Sequence, residues 1–316
     1  MTPWLLSGLG LLILLLAGDS LVKGAVNLSL RLGVPALIVS LTIVAFGTSA
    51  PELLISVQAV LEDAPGLALG NVVGSNTANI LLVLGVPALL ATMHTSECDT
   101  RKTYNFMILA SLLFIGLAYR GVFDWIAGLV LIVGVLFVLA DAFRDAKRHR
   151  ESMKGVAEEE EPEGADPDMP LWRIVVFLVL GLIGLPVGAD LLVDNATIIA
   201  QQFGVSDTII GLTLVAIGTS LPELATTVVA ALRRQADVAL GNVIGSNMFN
   251  LLAIIGIASL VGPIPVDPEF LRFDLWVMLG ASILLAPFVY MHWNITRIWG
   301  LVLTALYLIY MVVLLA

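Results

Sequence analysis

Ten apolar runs, at 3–29, 35–60, 67–93, 103–119, 123–143, 171–194, 207–231, 238–261, 273–291 and 297–316, make up most of this chain. Each is close to the roughly 20 residues that a helix needs to cross bilayer hydrocarbon. None alternates polar with apolar positions, as the strands of a membrane barrel do. The pattern predicts an all-α integral membrane protein with ten transmembrane helices. The first run, "WLLSGLGLLILLLAGDS", has no Lys or Arg ahead of it. A secretory leader carries a basic stretch there, so this run is expected to remain as a span.

Between the fifth and sixth runs lies "RDAKRHRESMKGVAEEEEPEGADPDMP", residues 144–170, which turns from basic to acidic and has no apolar period. Such a segment cannot bury enough surface to pack. It reads as a hydrophilic linker between two halves, 1–143 and 171–316. The halves are copies. Shifted by 171, residues 33–85 fall on 204–256 without a gap, with 27 identities in 53 positions, and upstream Asp19 falls on Asp190. Five spans is an odd number, so the second copy enters the membrane from the opposite side. Two inverted five-helix repeats are a recurring plan of secondary transporters, with substrate held where the halves meet.

Composition agrees with a membrane protein. Of the 316 residues 59% are hydrophobic and only 13% charged, where a soluble domain carries about 25% charged. The net charge of −10 offers nothing to nucleic acid, and the partner implied is the lipid bilayer, with no obligate protein partner evident. With the N-terminus outside, thirteen of the fifteen Lys and Arg fall on the cytoplasmic side, all but Arg120 and Arg272. That bias orients the chain in a cell (inner) membrane with the linker cytoplasmic. A single cysteine, Cys98, excludes an internal disulfide.

Polar residues interrupt the apolar runs at two places in each copy. "GTSAPE" (47–52) is answered by "GTSLPE" (218–223), and "GNVVGSNTAN" (70–79) by "GNVIGSNMFN" (241–250). Thr48 and Ser49 stand four and three residues before Glu52, on one helical face. Pro51 has no N–H and its ring clashes with the carbonyl four residues back, so the helix must break near Gly47 and free carbonyls around 45–48. Ser75 and Asn79 share a face at i,i+4, and Gly70 and Gly74 permit close helix approach. Most hydroxyls and glycines in membrane helices serve backbone bonding and packing. An ionised carboxylate within the bilayer costs a few kcal/mol at least, so Glu52 and Glu223 are read as functional. Asp19, Asp190 and Asp194 read as interfacial residues near helix ends. The donors are hard oxygens without His or Cys, a set suited to Ca²⁺ and to Na⁺ rather than to zinc, copper or iron.

These doubled motifs resemble the two α-repeats of the sodium/calcium exchangers in the cation/calcium antiporter superfamily. The resemblance implies ion sites built by the second, third, seventh and eighth spans. It implies Glu52 and Glu223 as shared calcium and sodium ligands, and backbone carbonyls of Thr48 and Thr219 for calcium. Ser49, Ser220, Ser75 and Ser246, with the carbonyls of Ala45 and Ala216, would form flanking sodium sites, and Asn79 and Asn250 would close the centre. The potassium-dependent branch has Asp where this chain has Asn250, which implies exchange without potassium. The transported ions are then Ca²⁺ and Na⁺, with no cofactor. The first and sixth spans, with Gly8, Gly10, Gly181, Gly184 and Gly188, would be the sliding gate.

The leading expectation is a secondary antiporter exchanging Na⁺ for Ca²⁺ by alternating access. Proton/calcium exchange is the alternative, because paired buried carboxylates are also able to take protons. The proton-coupled branch resembles a "GNxxE" pattern, where both copies here read GN-x-x-G-S-N. A passive cation channel ranks third, since two broken helices are not a continuous pore. An enzyme is not expected, as His94, His149 and His292 all fall near loops.

Overall fold

The computed structural model describes residues 2–152, 166, 168–204 and 216–315. The upstream part of the seventh run, 205–215, and most of the linker lie outside the described residues. The chain is helical almost throughout. Among the described residues seven helices are long and apolar enough to cross a membrane, eight when one bent pair counts as a single span.

The elements follow the apolar runs. α1 (Thr2–Leu32) opens the chain. α2 (Ala36–Thr48) and α3 (Ala50–Leu61) form the bent pair, meeting at 43°. α4 (Pro65–Leu90), α5 (Arg101–Ala118) and α6 (Trp125–Ser152) follow. α7 (Leu171–Gln202) begins after the linker. Next come α8 (Ala216–Gly218), α9 (Leu221–Leu232), α10 (Ala236–Val261), α11 (Pro268–Tyr290) and α12 (Arg297–Leu315). α6 runs nine residues past the predicted end at 143. Residues 144–152, read from sequence as linker, are its final turns, because charged side chains continue a helix readily once an apolar helix has started it. The linker's far end is tied down: the Asp166 amide donates to Asn27 Oδ1 at 2.8 Å, and Arg31 donates to the Met169 carbonyl. The prediction of a purely helical chain misses one detail. β1 (Val122–Phe123) pairs antiparallel with β2 (Ile264–Pro265), joining a loop from each half.

Burial is inside-out relative to a soluble protein. The helices bearing the polar "GN" motifs are the most enclosed: in their most apolar stretches α4 is 78% and α10 89% buried, against 33% for α1 and 28% for α7. Large apolar side chains such as Leu16, Phe143 and Ile298 face outward instead, as lipid-facing positions do. α1 and α7 lie against each other along much of their length. Their crossing is made of glycines and has the symmetry of the repeat. A Cβ on Gly10 would sit 2.7 Å from the Leu192 amide nitrogen, and one on its counterpart Gly181 would sit 2.9 Å from that of Leu21. Gly184 faces Ala17 and Gly188 faces Leu14 equally closely, whereas Gly8 has no described neighbour within 4 Å. Small residues that let backbones touch are the usual means of helix association in lipid.

Gly10→Val and Gly188→Val should therefore force α1 and α7 apart, each costing about 1–3 kcal/mol by overpacking. Gly8→Val should cost little. Thermal unfolding in detergent, followed by size-exclusion chromatography, checks this; equal melting of all three variants would contradict the crossing.

Candidate ion-binding site

Each polar motif is placed by the same local device in both copies. α2 ends at Thr48 and α3 starts at Ala50, with Pro51 in its first turn and Ser49 between them at φ −86°, ψ 5°. In the second copy Ser220 holds φ −89°, ψ 2° ahead of Pro222. Proline fits best in the first turn of a helix, where no amide is needed, and here one helix stops and another begins just before it. The restart carries Glu52 and Glu223 into the interior, where they are 1% and 0% exposed. Each stands in the first turn of its new helix, the end where backbone N–H groups favour negative charge.

Two asparagines that the sequence reading did not single out fix these helices in position. Asn71 Nδ2 donates to the Glu52 carbonyl at 3.3 Å and to Ser56 Oγ at 3.1 Å. Asn242 Nδ2 donates to the Glu223 carbonyl at 3.3 Å and to Thr227 Oγ1 at 3.1 Å. A second pair binds the copies to each other: Asn76 Nδ2 donates to the Asn247 carbonyl, and Asn247 Nδ2 to that of Asn76. The repeat itself held the signal, since all four residues are identical at the 171-residue shift.

The side chains proposed from sequence converge here, half from each copy. Ser49 of the first copy donates to Glu223 Oε1 at 3.1 Å, and Ser246 of the second reaches the same oxygen at 3.4 Å. Thr48 Oγ1 donates to Asn242 Oδ1 at 3.2 Å, and Asn79 Nδ2 to Asn247 Oδ1 at 3.1 Å. Glu52 and Glu223 are both enclosed in this interior. Ser75 and Asn250 are buried on the same two interior helices. Thr219 lies in the turn between α8 and α9, and Ala216 starts α8.

The copies are alike in place but not in bonding. The Ala45 carbonyl, expected to be freed by the break, accepts the Ser49 amide at 3.1 Å and Thr48 Oγ1 at 3.3 Å. Pro51 spares that bond because the amide it lacks would pair with the Gly47 carbonyl, two residues further on. In the second copy the Ser220 amide turns to the Ile217 carbonyl instead, at 3.0 Å, so this amide does not engage Ala216. Asn250, unlike Asn79, has neither amide atom bonded. Gly241 and Gly245 press on the backbone of Leu37 and Leu41.

Buried polar atoms nearly always find partners. Among the described residues the exceptions concentrate here: Glu52 Oε2, Glu223 Oε2, Asn76 Oδ1, Asn79 Oδ1, Ser220 Oγ, and Asn250 Oδ1 and Nδ2. Only Ser7 Oγ and Thr304 Oγ1 stand elsewhere. Six of these seven atoms are oxygens, and the two carboxylates are the only acids among them. No group of three or more His, Cys, Asp or Glu placed to hold a metal ion occurs among the described residues. The arrangement suits a hard cation bound mostly by neutral oxygens, with two negative charges beside it.

Comparison with known proteins agrees. The chain is 34% identical to the sodium/calcium exchanger MaX1 of Methanosarcina acetivorans, over 97% of this chain and 96% of that one. It is 37% identical to the inner membrane protein YrbG of Escherichia coli (strain K12), over 88% and 85%. Structures of the sodium-calcium exchanger NCX_Mj superpose closely. One soaked with 2.5 mM Na⁺ and 1 mM Sr²⁺ gives a TM-score of 0.81 at 34% identity, covering 99% of this chain and 98% of that one. Another soaked without Na⁺ or Ca²⁺ gives 0.82 at 33% identity, with the same coverage. The family model described as sodium/calcium exchanger protein matches residues 2–141 and 173–316. This chain belongs to the sodium/calcium exchanger family.

Proposed function

We propose that the chain exchanges Na⁺ for Ca²⁺ by alternating access. The observation that carries the reading is the shared Glu223 carboxylate, whose Oε1 is held by Ser49 of one copy and Ser246 of the other while Oε2 is unbonded. A site split between two halves opens to either side when one half moves against the other. The bundle is read as ten spans in two inverted five-helix repeats, 1–143 and 171–316, with α1 and α7 as the moving elements. The relatives support this: structures of NCX_Mj were soaked with Na⁺, Ca²⁺ or Sr²⁺. The ligands are Glu52, Glu223, Ser49, Ser220, Ser75, Ser246, Asn79 and Asn250, with backbone carbonyls of Thr48, Thr219, Ala45 and Ala216. The neutral Asn71–Asn242 and Asn76–Asn247 pairs hold them in place.

Charge explains the coupling. Two carboxylates balance one Ca²⁺; without a cation they repel each other in a medium that screens poorly. Sodium ions on the same oxygens restore the balance. Occupancy by one substrate or the other is therefore the condition for the halves to move.

Glu52→Gln and Glu223→Gln should each lower calcium uptake at least about 100-fold, since losing one partner of a buried charge set costs about 3 kcal/mol or more. Both proteins should still insert and fold. Calcium-45 uptake into proteoliposomes measures this, and normal rates in either variant would refute the site.

An outward sodium gradient should drive that uptake without potassium, at a rate that a valinomycin-clamped voltage alters. Asn250→Asp should change cation preference more than fold, because the side chains are nearly isosteric. If a proton gradient alone drives full uptake while sodium has no effect, the chain is a proton/calcium exchanger.

The N-terminus is placed outside the cell membrane and the linker in the cytoplasm. Thr2→Cys and Glu160→Cys, each on a Cys98→Ala background, should react with an impermeant thiol reagent from opposite faces. Labelling from one face would break the inverted layout.

A further inference from the structure

The repeat that pairs every site residue inverts the charge at the helix ends around the site. Asp19, in the interior of α1 rather than at its end, pairs with Lys23 at 2.8 Å one turn on and receives Arg233 Nε at 2.6 Å from the end of α9. These side chains are only 25–35% exposed. Beside them Gly18 lets α1 approach closely, its Cβ position lying 3.1 Å from the Ala225 carbonyl oxygen.

At the 171-residue shift Asp19 becomes Asp190, Lys23 becomes Asp194, Arg233 becomes Glu62 and Arg234 becomes Asp63. The backbone of that turn is the same in both copies, with Asp63 at φ 57° and Arg234 at φ 56°. Geometry is conserved and charge reversed. α1 packs along α9, whereas among the described residues α7 makes no comparable contact with α3, its partner by the repeat. The ion pair is found at the joined contact, and the all-acid counterpart is found at the separated one.

We propose that Asp19, Lys23 and Arg233 form an electrostatic clasp that holds α1 against α9 and sets which side of the exchanger is closed at rest. These are positioning residues: they touch no transported ion and act through the seating of α1. The clasped side is the cytoplasmic one in the orientation given above. On the opposite side the counterpart positions, Glu62, Asp190 and Asp194, are all acidic, and no ion pair among the described residues joins them. The proposal rests on the alternating-access reading.

The test measures helix separation on both sides by pulsed electron resonance of nitroxide pairs, in proteoliposomes, on a Cys98→Ala background. Labels at Leu30 and Leu232 report the clasped side; labels at their counterparts Gln201 and Leu61 report the other. Asp19→Asn and Arg233→Gln should each raise the separated population of the Leu30–Leu232 pair about two- to five-fold, the effect of losing a partly exposed ion pair. They should contract the Gln201–Leu61 pair. Arg233→Lys, which keeps the charge, should resemble the unaltered protein. Glu62→Arg builds the missing partner for Asp190, and should shift both distances in the reverse direction. A merely structural ion pair would not produce these opposite shifts. If the unaltered protein interconverts on adding sodium or calcium while the variants leave the populations unchanged, the clasp alone is refuted. If the unaltered protein shows no ion-dependent interconversion, alternating access falls and the clasp with it.

Discussion

Two carboxylates buried in an apolar bundle, one from each copy, are the constraint around which this protein is organised. Glu52 and Glu223 are shielded from solvent, and neither is tolerable there as an isolated charge. The broken helices, the hydroxyl donors and the unbonded amides are the surroundings that such a pair requires. Proline at the start of α3 and α9 turns each carboxylate inward at a helix N-terminus. Serines from both copies then share one oxygen.

The asparagines carry the second layer of this organisation. A carboxylate that must accept and release ions needs a backbone that does not drift when its ligands change. Asn71 and Asn242 grip the glutamate carbonyls rather than the carboxylates, leaving the charged ends available. Asn76 and Asn247 exchange bonds across the boundary between copies, fixing α4 to α10 at the centre. On the proposed mechanism motion falls to the periphery, where α1 and α7 touch each other through glycine rather than through interlocked side chains.

Much of this was legible in the chain, for identifiable reasons. Apolar length fixed the helices, and the gapless repeat marked Glu52 and Glu223 because a doubled intramembrane acid has few structural uses. Proline chemistry placed the break within two residues of Ser49. The hidden parts depended on partners distant in sequence. Asn71 bonds a carbonyl 19 residues away, and nothing local separates it from Asn79. Asp19 was read as interfacial because its partner Arg233 lies 214 residues on. The Ala45 carbonyl was expected to be free because proline removes a bond, but the bond Pro51 removes belongs to the Gly47 carbonyl. The end of α6 was misjudged because a polar helix continuing an apolar one shows no change in period to mark the crossing.

α1 and α7 have 31 and 32 residues, about 46–48 Å of helix at 1.5 Å per residue. Bilayer hydrocarbon is only about 30 Å thick, and a helix longer than that accommodates by leaning or by drawing the lipid thicker around it. Among the described residues the next longest helix, α6, has 28, so the mismatch is greatest on the two helices assigned to the gate. Their glycine crossing acts as a pivot, because touching backbones present no side-chain ridges to lock one angle. Membrane thickness therefore enters as a mechanical variable, and a thinner bilayer favours a steeper lean of the pair proposed here to select the open face.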